Sequence, residues 1–405
     1  MPTGKCPMDE GKLLLNKKRI IDILESIKTT PYFAQAPKKD FSGKSYNVFV
    51  GRFNYPHVNV GLLFSEQDNA LLDKPSQWAE QNLPIQTLAL LRSSLINSGK
   101  QAHVKLNSVN DRITKKLRSS AEEIALSQKP LDIEIEVEKP VAFKFTFSGE
   151  ATPYGPRAAL QDISVQENAH VPKPVERIHA DTDVKANDAM HELSAKGFDE
   201  HYLTKLLSSG QLGTAPQRKM VPTRWAITAT DDMLGKRAIA QILSGETQPL
   251  GYFEGSYLGN YYFVIAFPGP FRYELFETHV PTGNCGTDFE DVGGRKAYAE
   301  TTAGGYYAAR LAIVEEMQRM GRQASFLVLR FVTEEYFMPL GVWVVREAVR
   351  NAMKSPFVEI ASKEQLLEHI RAMVMQRFRL DLQGIYVHSR LLDLLKHQKT
   401  LNTFM

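Results

Sequence analysis

The stretch DIEIEVEKPVAFKFTFSG, residues 132–149, alternates apolar and polar side chains on both sides of Lys139 and Pro140. An alternation with a period of two places successive side chains on opposite faces of a β-strand. It predicts an antiparallel strand pair in which each strand has one buried and one solvated face. Antiparallel pairs among interleaved helices are typical of an α+β protein.

Strand and helix patterns also alternate irregularly along the rest of the chain. β-branched and aromatic residues punctuated by glycine and proline predict a strand–turn–strand unit at 46–61, and strand patterns return at 248–280. The prediction is an α+β fold with a mixed or antiparallel sheet core, surrounding helices and a helical C-terminal region. Helices are predicted at 11–28, at 183–197 and 199–213 (each ending on glycine), at 304–323 and from 362 onward, with a strand leading into a helix at 339–354 and a loop at 166–183.

The length of 405 residues predicts more than one domain or subdomain. We expect an N-terminal helical segment at 1–30, an α+β core at 31–360, a C-terminal helical region at 361–396 and a flexible tail at 397–405.

The composition excludes several classes of protein. The apolar fraction of 43% and the charged fraction of 23% are those of a globular chain rather than a disordered one. A net charge of +3 does not by itself indicate nucleic-acid binding, although a local basic face remains open. Two cysteines, Cys6 and Cys285, fit a reducing compartment, and the apolar stretches are too short to span a bilayer. We therefore expect a cytoplasmic protein without a membrane partner.

The most chemically informative internal stretch is RKMVPTRWAITATDD, residues 218–232. Lys219 and Arg224 lie close to the aromatic Trp225, and clustered cations beside an aromatic ring suit phosphate contact with base stacking. Asp231 and Asp232 have three readings: salt-bridge partners, the N-cap of a helix that follows them, or carboxylates for a divalent metal.

A second candidate anion site is the helix entry AGGYYAARLAIVEEM, residues 303–317. Backbone N–H groups at Gly304 and Gly305 and the helix dipole favour an anion, and Arg310 lies where it could reach a phosphate. The alternative is that the two glycines allow close packing.

The turn in FVGRFNYPHVNVG, residues 49–61, carries Arg52, Tyr55 and His57, and Arg52 is a third candidate for phosphate contact. The standard hydrolase, kinase, zinc and nucleotide-loop motifs are missing from the sequence, so no nucleophile, cofactor or metal is predicted. Cys285 lies beside acidic residues and is expected to be inert.

The last eight residues, QKTLNTFM, leave large apolar side chains at the chain end. Leu401, Phe404 and Met405 lie at i, i+3 and i+4, so on one helical turn they converge on one face, while Gln398 precedes the turn. Such a segment orders only on docking, and apolar anchors in a preformed pocket are a recurring mode of peptide recognition. The other reading is a tail that folds back on its own domain.

Taken together, these stretches resemble the archaeal Nre family of DNA repair proteins. The resemblance is carried, in the same order, by FVGRFNYPHVNVG, ATPYGPRAAL, VPTRWAITATDD, GGYYAARLAIVEEM, RQASFLVLR and PLGVWVVREAVRNA, and it covers most of residues 45–360. It implies a role in DNA damage repair and a C-terminal motif that binds the sliding clamp PCNA. Gln398, Leu401 and Phe404 match that motif, and Met405 stands where a second aromatic is usual. Many members begin with a cysteine-rich, zinc-finger-like segment, whereas this chain keeps only Cys6, so the zinc function is not carried over.

Three functional hypotheses follow. The first is a repair protein that docks on PCNA and binds DNA or a 5′-phosphorylated nucleotide through its core. The second is a metal-dependent nuclease or another DNA- or nucleotide-processing enzyme, and the third is a scaffold that contacts only proteins. Whether the protein is an enzyme stays open. The residues expected to contact phosphate or bases are Arg52, Lys219, Arg224, Trp225, Gly304, Gly305 and Arg310, and the carboxylates available to a nuclease are Asp231, Asp232, Asp288 and Asp291.

Overall fold

The computed structural model describes residues 10–29, 38–105, 111–141, 144–146 and 151–397. Its mixed sheets and numerous helices confirm the predicted α+β class. The chain divides into two compact units: a barrel unit, Arg19–Leu234 with Met338–Trp343, and a sheet unit, Gly235–Phe337 with the described residues up to Lys18 and from Val344 onward. The predicted domain boundaries at 30/31 and 360/361 do not coincide with those of the units.

Five strands of the barrel unit form a closed barrel. They are β1 (Asp40–Val50), β2 (His57–Ser65), β3 (Ile96–His103), β4 (Leu131–Val137) and β5 (Arg157–Val165). The order is β1-β2-β3-β5-β4, and β4 pairs back to β1. All neighbouring strands are antiparallel except β3 and β5, which are parallel.

Three helices of this unit lie in connections between the strands: α2 (Pro75–Glu80), α3 (Ile85–Ser93) and α4 (Arg112–Leu126), with a short 3₁₀ turn at Ala70–Asp73. The part of α1 (Glu10–Lys28) from Arg19 onward precedes β1. The helices that follow β5 are α5 (Lys173–Ala180), α6 (Ala186–Ala195), α7 (Glu200–Ser208) and the start of α8 (Thr223–Ile242), with a 3₁₀ turn at Ala215–Gln217. Helix α4, which connects β3 to β4, contributes Leu117, Ala121 and Ile124 to the core inside the barrel. Its amphipathic pattern explains why it packs there.

The period of two on β2 decides which side chains enter that core. Val58, Val60, Leu62 and Phe64 belong to it and are fully buried, whereas Asn59 is partly exposed on the other face. Burying one such aliphatic or aromatic side chain stabilises the fold by about 1.5–3 kcal/mol. The barrel is therefore filled by side chains, and its ligand-accessible groups are on the outside.

A buried carboxylate, Asp73, ties elements outside the barrel to β1. It accepts hydrogen bonds from Arg92 of α3, from His201 Nε2 of α7 at 2.8 Å and from Asn47 Nδ2 of β1 at 2.7 Å. Burial by itself raises the pKa of Asp73, but His201 and Arg92 outweigh that effect and lower the pKa well below its usual range. The carboxylate of Asp73 therefore has a structural role, because it connects α3, α7 and β1.

The sheet unit is built on a six-stranded sheet and a two-stranded one. The strands are β6 (Glu246–Thr247), β7 (Gly251–Tyr257), β8 (Asn260–Phe267), β9 (Arg272–His279), β10 (Asn284–Glu290), β11 (Arg322–Gln323), β12 (Ser325–Val332) and β13 (Val358–Glu359). The larger sheet has the order β10-β9-β12-β8-β7-β13, with only β9 and β12 parallel, and β11 pairs with β6. Its helices are α9 (Ala303–Met320), most of α10 (Trp343–Met353), α11 (Lys363–Phe378), α12 (Gln383–His388) and α13 (Arg390–His397).

Helix α13 is held against β9 by one buried side chain. The carboxylate of Glu274 accepts hydrogen bonds from Ser389 Oγ at 2.5 Å, Arg390 N at 2.9 Å and Leu391 N at 3.1 Å. These donors belong to the start of the helix, where backbone N–H groups lack partners within the helix. Glu274 therefore caps α13 from the sheet.

One of the two helix ends predicted from glycine is confirmed: α6 ends at Ala195, just before Gly197, whereas α7 ends at Ser208, before Gly210 and not at the predicted Gly213. Gly197 after α6, Gly210 after α7 and Gly321 after α9 have φ values of 85°, 81° and 65°. This left-handed conformation favours glycine because it lacks a Cβ atom.

Four local predictions are wrong. Strand β4 pairs with β1 and β5 rather than with a neighbouring strand across Lys139 and Pro140, and Thr146 makes a single bridge to Tyr154. The expected loop at 166–183 contains α5, whose prolines precede it or lie in its first turn, where proline is tolerated. Residues 339–342 are not a strand, and α8 begins at Thr223, so Asp231 and Asp232 lie within that helix instead of capping its start.

Candidate nucleic-acid interface

The loop between β1 and β2, residues 51–56, projects aromatic side chains into solvent. Phe53 is 75% exposed and Tyr55 is 42% exposed. Asn54 has a φ of 62°, and its carbonyl accepts a hydrogen bond from His57 N at 2.8 Å, so the chain turns sharply before β2 begins. The Arg52 guanidinium lies over the Phe53 ring, with 5.4 Å from Cζ to the ring centre.

The first turn of α8 lies beside this loop. Val50 N, at the end of β1, donates a hydrogen bond to Thr223 Oγ1 at 2.9 Å. Two residues later Trp225 is 47% exposed, and its ring centre is 5.4 Å from that of Tyr55. The hydrogen bond and the ring contact bring Arg52 and Arg224 to one place.

A cavity of about 410 Å³ opens between these elements and the barrel wall. Its lining includes Arg52, Arg157 and Arg224, and no aspartate or glutamate is among the described residues that line it. Asn59 of β2 and Gln101 of β3, which are paired in register, contribute amide groups to the wall. Three guanidinium groups without a lining carboxylate make the cavity suitable for a polyanion.

Arg157 is positioned by the tyrosine that precedes β5. Its Nε and Nη2 atoms donate to the hydroxyl of Tyr154 at 2.9 and 2.5 Å, and its Cζ lies 5.5 Å from the centre of that ring. A hydroxyl is a neutral partner, so the positive charge of Arg157 is not cancelled by it. This arrangement orients a guanidinium at the cavity wall.

Lys219 lies next to the end of β3 and is not among the residues that line the cavity. It forms an isolated antiparallel bridge with Lys105, and Met220 N donates to Val104 O at 2.9 Å. Between this bridge and the cavity, His57 and His103 face each other across β2 and β3 with ring centres 4.9 Å apart. The structure thus brings Arg52, Lys219, Arg224 and Trp225 into the barrel unit.

Two family models cover the chain almost completely. A model described as "Archaeal Nre, N-terminal" matches residues 15–284, and one described as "Archaeal Nre, C-terminal" matches residues 290–404. The chain belongs to the archaeal Nre family.

Curated Nre relatives match over most of their length. The chain is 34% identical over 370 residues to the DNA repair protein NreA of Haloferax volcanii, covering 87% of this chain and 86% of that one. It is 34% identical to the DNA repair protein NreA of Archaeoglobus fulgidus (88% and 90% covered) and 32% identical to the DNA repair protein NreB of the same organism (90% and 92% covered). No solved structure matches.

Three Nre segments that are far apart in the sequence meet at the cavity. Residues 49–61 provide the loop and the start of β2, residues 151–160 provide Tyr154 and Arg157, and residues 221–232 provide the first turns of α8. The Nre segment 304–317 instead belongs to the sheet unit, where it forms most of α9.

In the sheet unit, Arg310 is 1% exposed, and its Nη1 donates to the equally buried Glu290 at 2.9 Å. A Cβ atom on Gly305 would come within 2.4 Å of Glu277 Oε1, so this glycine permits close packing. Gly304 is buried as well. Arg310, Gly304 and Gly305 are therefore engaged in packing within the sheet unit, and none of them lines the arginine-lined cavity.

The N–H groups before α9 already have an anionic partner. Asp288 Oδ2 accepts from Thr301 N at 3.0 Å and from Thr302 N at 2.8 Å. Burial by itself raises the pKa of Asp288, but these hydrogen bonds, chiefly those from Thr302, outweigh it and lower the pKa. Asp288 therefore already provides a negative charge just before the helix entry where the sequence suggested a bound phosphate.

The carboxylates considered for a nuclease do not form a metal-binding group in the described part of the chain. There, no cluster of three or more His, Cys, Asp or Glu side chains is arranged to hold a metal ion. Asp291 pairs with Arg272 at 2.7 Å, and Asp231 and Asp232 lie on α8 in the barrel unit. Desolvation raises the pKa of Cys285, which disfavours a reactive thiolate.

Sequence reasoning missed several residues of the cavity. Arg157 and Tyr154 lie in ATPYGPRAAL, which contributes to the Nre resemblance but has no charge cluster to mark a phosphate site, and only the closure of the barrel brings them to Arg52. Phe53 could have been predicted as a site residue, because an aromatic side chain in a tight turn is exposed to solvent.

None of the described helices has the length and apolarity required to cross a membrane. The predicted anchors Gln398, Leu401, Phe404 and Met405, and also Cys6, lie outside the described residues.

Proposed function

We propose that this Nre-family protein acts in DNA repair, that it binds DNA or a 5′-phosphorylated nucleotide at the cavity of the barrel unit, and that its C-terminal tail docks on the PCNA sliding clamp. The repair role is supported by the names of the relatives, which are DNA repair proteins over nearly the same length. The two binding functions have separate support, from the cavity and from the tail sequence.

The observation that carries nucleic-acid binding is the composition of the cavity. Arg52, Arg157 and Arg224 line it without a carboxylate among its described residues, in a chain whose net charge is only +3. Arginine is suited to phosphate because its planar fork donates two parallel hydrogen bonds. The exposed rings of Tyr55 and Trp225 at the same place provide surfaces for bases.

The proposal for the clamp rests on the spacing in QKTLNTFM. On one helical turn, the spacing of Leu401, Phe404 and Met405 would place them on one apolar face, and Met is adaptable enough to fill a pocket that usually takes an aromatic ring. Helix α13, fixed by Glu274, ends at His397, immediately before this motif. A tail tethered to a ring around DNA raises the effective concentration of the cavity at the DNA.

The test of nucleic-acid binding is a salt titration on the full-length protein with a 5′-phosphorylated oligonucleotide. For a single strand, each lost phosphate contact reduces the slope of log K against log salt by about 0.7. We expect the Arg52→Ala, Arg224→Ala double variant to bind more weakly and to lose roughly 1.4 of that slope.

The matched control is Arg177→Ala. Arg177 is an exposed arginine of the same unit that pairs with Glu192, so its removal changes net charge without touching the cavity. Unchanged affinity and slope in the double variant, or an equal loss in the control, would contradict a phosphate site at the cavity. The protein-only scaffold would then be the better description.

A further inference from the structure

The barrel has a connectivity that specifies where a ligand lies. Five strands close in the order β1-β2-β3-β5-β4, β3 and β5 are parallel, and α4 lies between β3 and β4. This is the arrangement of an OB-fold, a five-stranded Greek-key barrel. In such barrels the outer face of the second and third strands, with the loops that join strands one to two and four to five, binds oligonucleotides or oligosaccharides.

The cavity is formed from those parts. Arg52 and Phe53 come from the loop between β1 and β2, Asn59 and Gln101 come from the outer faces of β2 and β3, and Tyr154 comes from the segment between β4 and β5. An oligosaccharide is ordinarily neutral and does not require three guanidinium groups. The charge of the lining therefore selects the oligonucleotide.

Three exposed aromatic rings lie at this place. Phe53, Tyr55 and Trp225 are 75%, 42% and 47% exposed, although large aromatic side chains are usually well buried. Bases in a duplex cover one another's faces, whereas an unpaired base has a free face to stack on a protein ring. Exposed rings beside arginines are therefore matched to a single strand.

A path for a nucleic-acid strand leads away from the cavity along β3. Gln101 lines the cavity, His103 contacts the ring of His57 edge-on, and Lys105 forms a backbone bridge with Lys219 beyond the end of β3. At 3.3 Å per residue, Gln101 and Lys105 are roughly 13 Å apart. A single strand of a few nucleotides would therefore span the distance from the arginines of the cavity to Lys105 and Lys219.

We infer that the outer face of this barrel binds single-stranded DNA, with bases stacked on Phe53, Tyr55 and Trp225 and with phosphates running from the three arginines toward Lys105 and Lys219. The inference rests on the nucleic-acid binding proposed above and narrows it to one class of substrate. It assigns to Phe53 and Tyr55 a role in binding bases.

The experiment compares single-stranded and duplex DNA on the full-length protein. A 5′-phosphorylated dT15 and a blunt 15-base-pair duplex are titrated at one salt concentration, with affinity measured by fluorescence anisotropy. We expect the single strand to bind at least tenfold more tightly. Tryptophan fluorescence is a second readout, because Trp78 and Trp343 are 0% and 6% exposed, so quenching by a stacked base reports Trp225.

Variants separate stacking from charge. Phe53→Ala and Trp225→Ala are each expected to weaken dT15 binding by about 5- to 150-fold, the range for loss of one base–aromatic stack. Trp225→Phe keeps a ring, so it should retain affinity within about threefold while losing the quenching. Tyr298→Ala, which removes an exposed aromatic of the sheet unit, is the control and should bind as the unaltered protein does.

The experiment distinguishes a failure of the single-strand inference from a failure of the proposed nucleic-acid binding. If duplex binds as tightly as dT15, and if the arginine variants weaken binding while the aromatic variants do not, the single-strand inference is overturned and the proposed nucleic-acid binding stands. If neither DNA binds, both are overturned. Preferential binding of dT15 with quenching supports both.

Discussion

The rings of Tyr55 and Trp225 lie 5.4 Å apart at an interplanar angle of 50°, and they connect the β1–β2 loop to the first turn of α8. The hydrogen bond from Val50 N to Thr223 Oγ1 lies beside this contact. This exposed aromatic pair lies beside the arginine-lined cavity. It contributes a contact within the barrel unit, and it is also the surface that we expect a base to cover.

A double-mutant cycle should detect this ring contact in the unbound protein. Tyr55→Ala and Trp225→Ala, alone and together, are expected to give a coupling free energy of about 0.5–1.5 kcal/mol, the range for aromatic pairs. The measurement is urea unfolding of the full-length protein, monitored by circular dichroism. The pair Trp225→Ala with Tyr298→Ala, which joins residues of different units, should be additive. Additive effects in both cycles would mean that the Tyr55–Trp225 contact contributes nothing to stability.

Removal of the C-terminal tail should abolish clamp binding and leave the fold intact. The Leu401→Ala, Phe404→Ala variant is expected to lose PCNA binding at least tenfold in calorimetry, because it deletes two of the three apolar anchors. The control replaces Asn402 and Thr403, which lie between the anchors, with alanine. Full PCNA binding by a protein that lacks residues 398–405 would rule out the tail assignment.

Arg310 should matter for stability and not for DNA. Arg310→Met leaves the buried Glu290 without its charged partner, and breaking a buried ion pair costs about 3–5 kcal/mol. We expect a lower melting temperature, partial recovery in the Arg310→Met, Glu290→Gln double variant, and unchanged DNA affinity of the folded protein. Arg319→Ala, which removes an exposed partner of Glu316, should have little effect. A tenfold loss of DNA affinity in folded Arg310→Met would instead restore the phosphate site at Gly304 and Gly305.

Glu274 should make the docking of α13 depend on pH. Burial raises the pKa of Glu274, and the hydrogen bonds from Ser389, Leu391 and Arg390 only partly oppose it. A raised pKa means that this group's contribution to stability is fully present below about pH 4.3, the unfolded value for Glu, and is lost as pH rises through the raised value. The free energy of unfolding of the native protein relative to Glu274→Gln should therefore increase as pH falls through that window.

The same carboxylate caps a helix, which provides a second readout. Glu274→Ala removes the acceptor for two backbone N–H groups, and loss of a helix cap typically costs about 0.5–2 kcal/mol. Amide hydrogen exchange in α13 should accelerate in that variant, while exchange in α11 should not. Equal acceleration in both helices would show that Glu274 stabilises the whole C-terminal region rather than the cap.

Much of the local structure could be predicted because its causes are local. Helix α6 ends before Gly197 as predicted, since a left-handed residue after a helix favours glycine, and α7 ends before Gly210, one helical turn earlier than the predicted Gly213. The strand–turn–strand unit at 46–61 could also be predicted from the sequence, since β1 and β2 are neighbours joined by a short turn.

The pairing of β-strands that are far apart in the sequence could not be predicted in the same way. The alternation at 132–138 correctly indicates a strand with two different faces, but it does not indicate which strands lie beside it. Strand β4 pairs with β1 and β5, because barrel closure satisfies the hydrogen bonds on both of its edges.

The sequence by itself determined the α+β class, the Nre family, the glycine-terminated helices and the spacing of the terminal apolar residues, because each depends on the order of residues within a short window. Tertiary structure alone decided that Arg52, Arg157 and Arg224 share one cavity while Arg310 is buried against Glu290. All four are arginines with similar intrinsic chemistry. What distinguishes them is which other segments the closed barrel and the sheet bring alongside, and that depends on contacts between residues far apart in the chain.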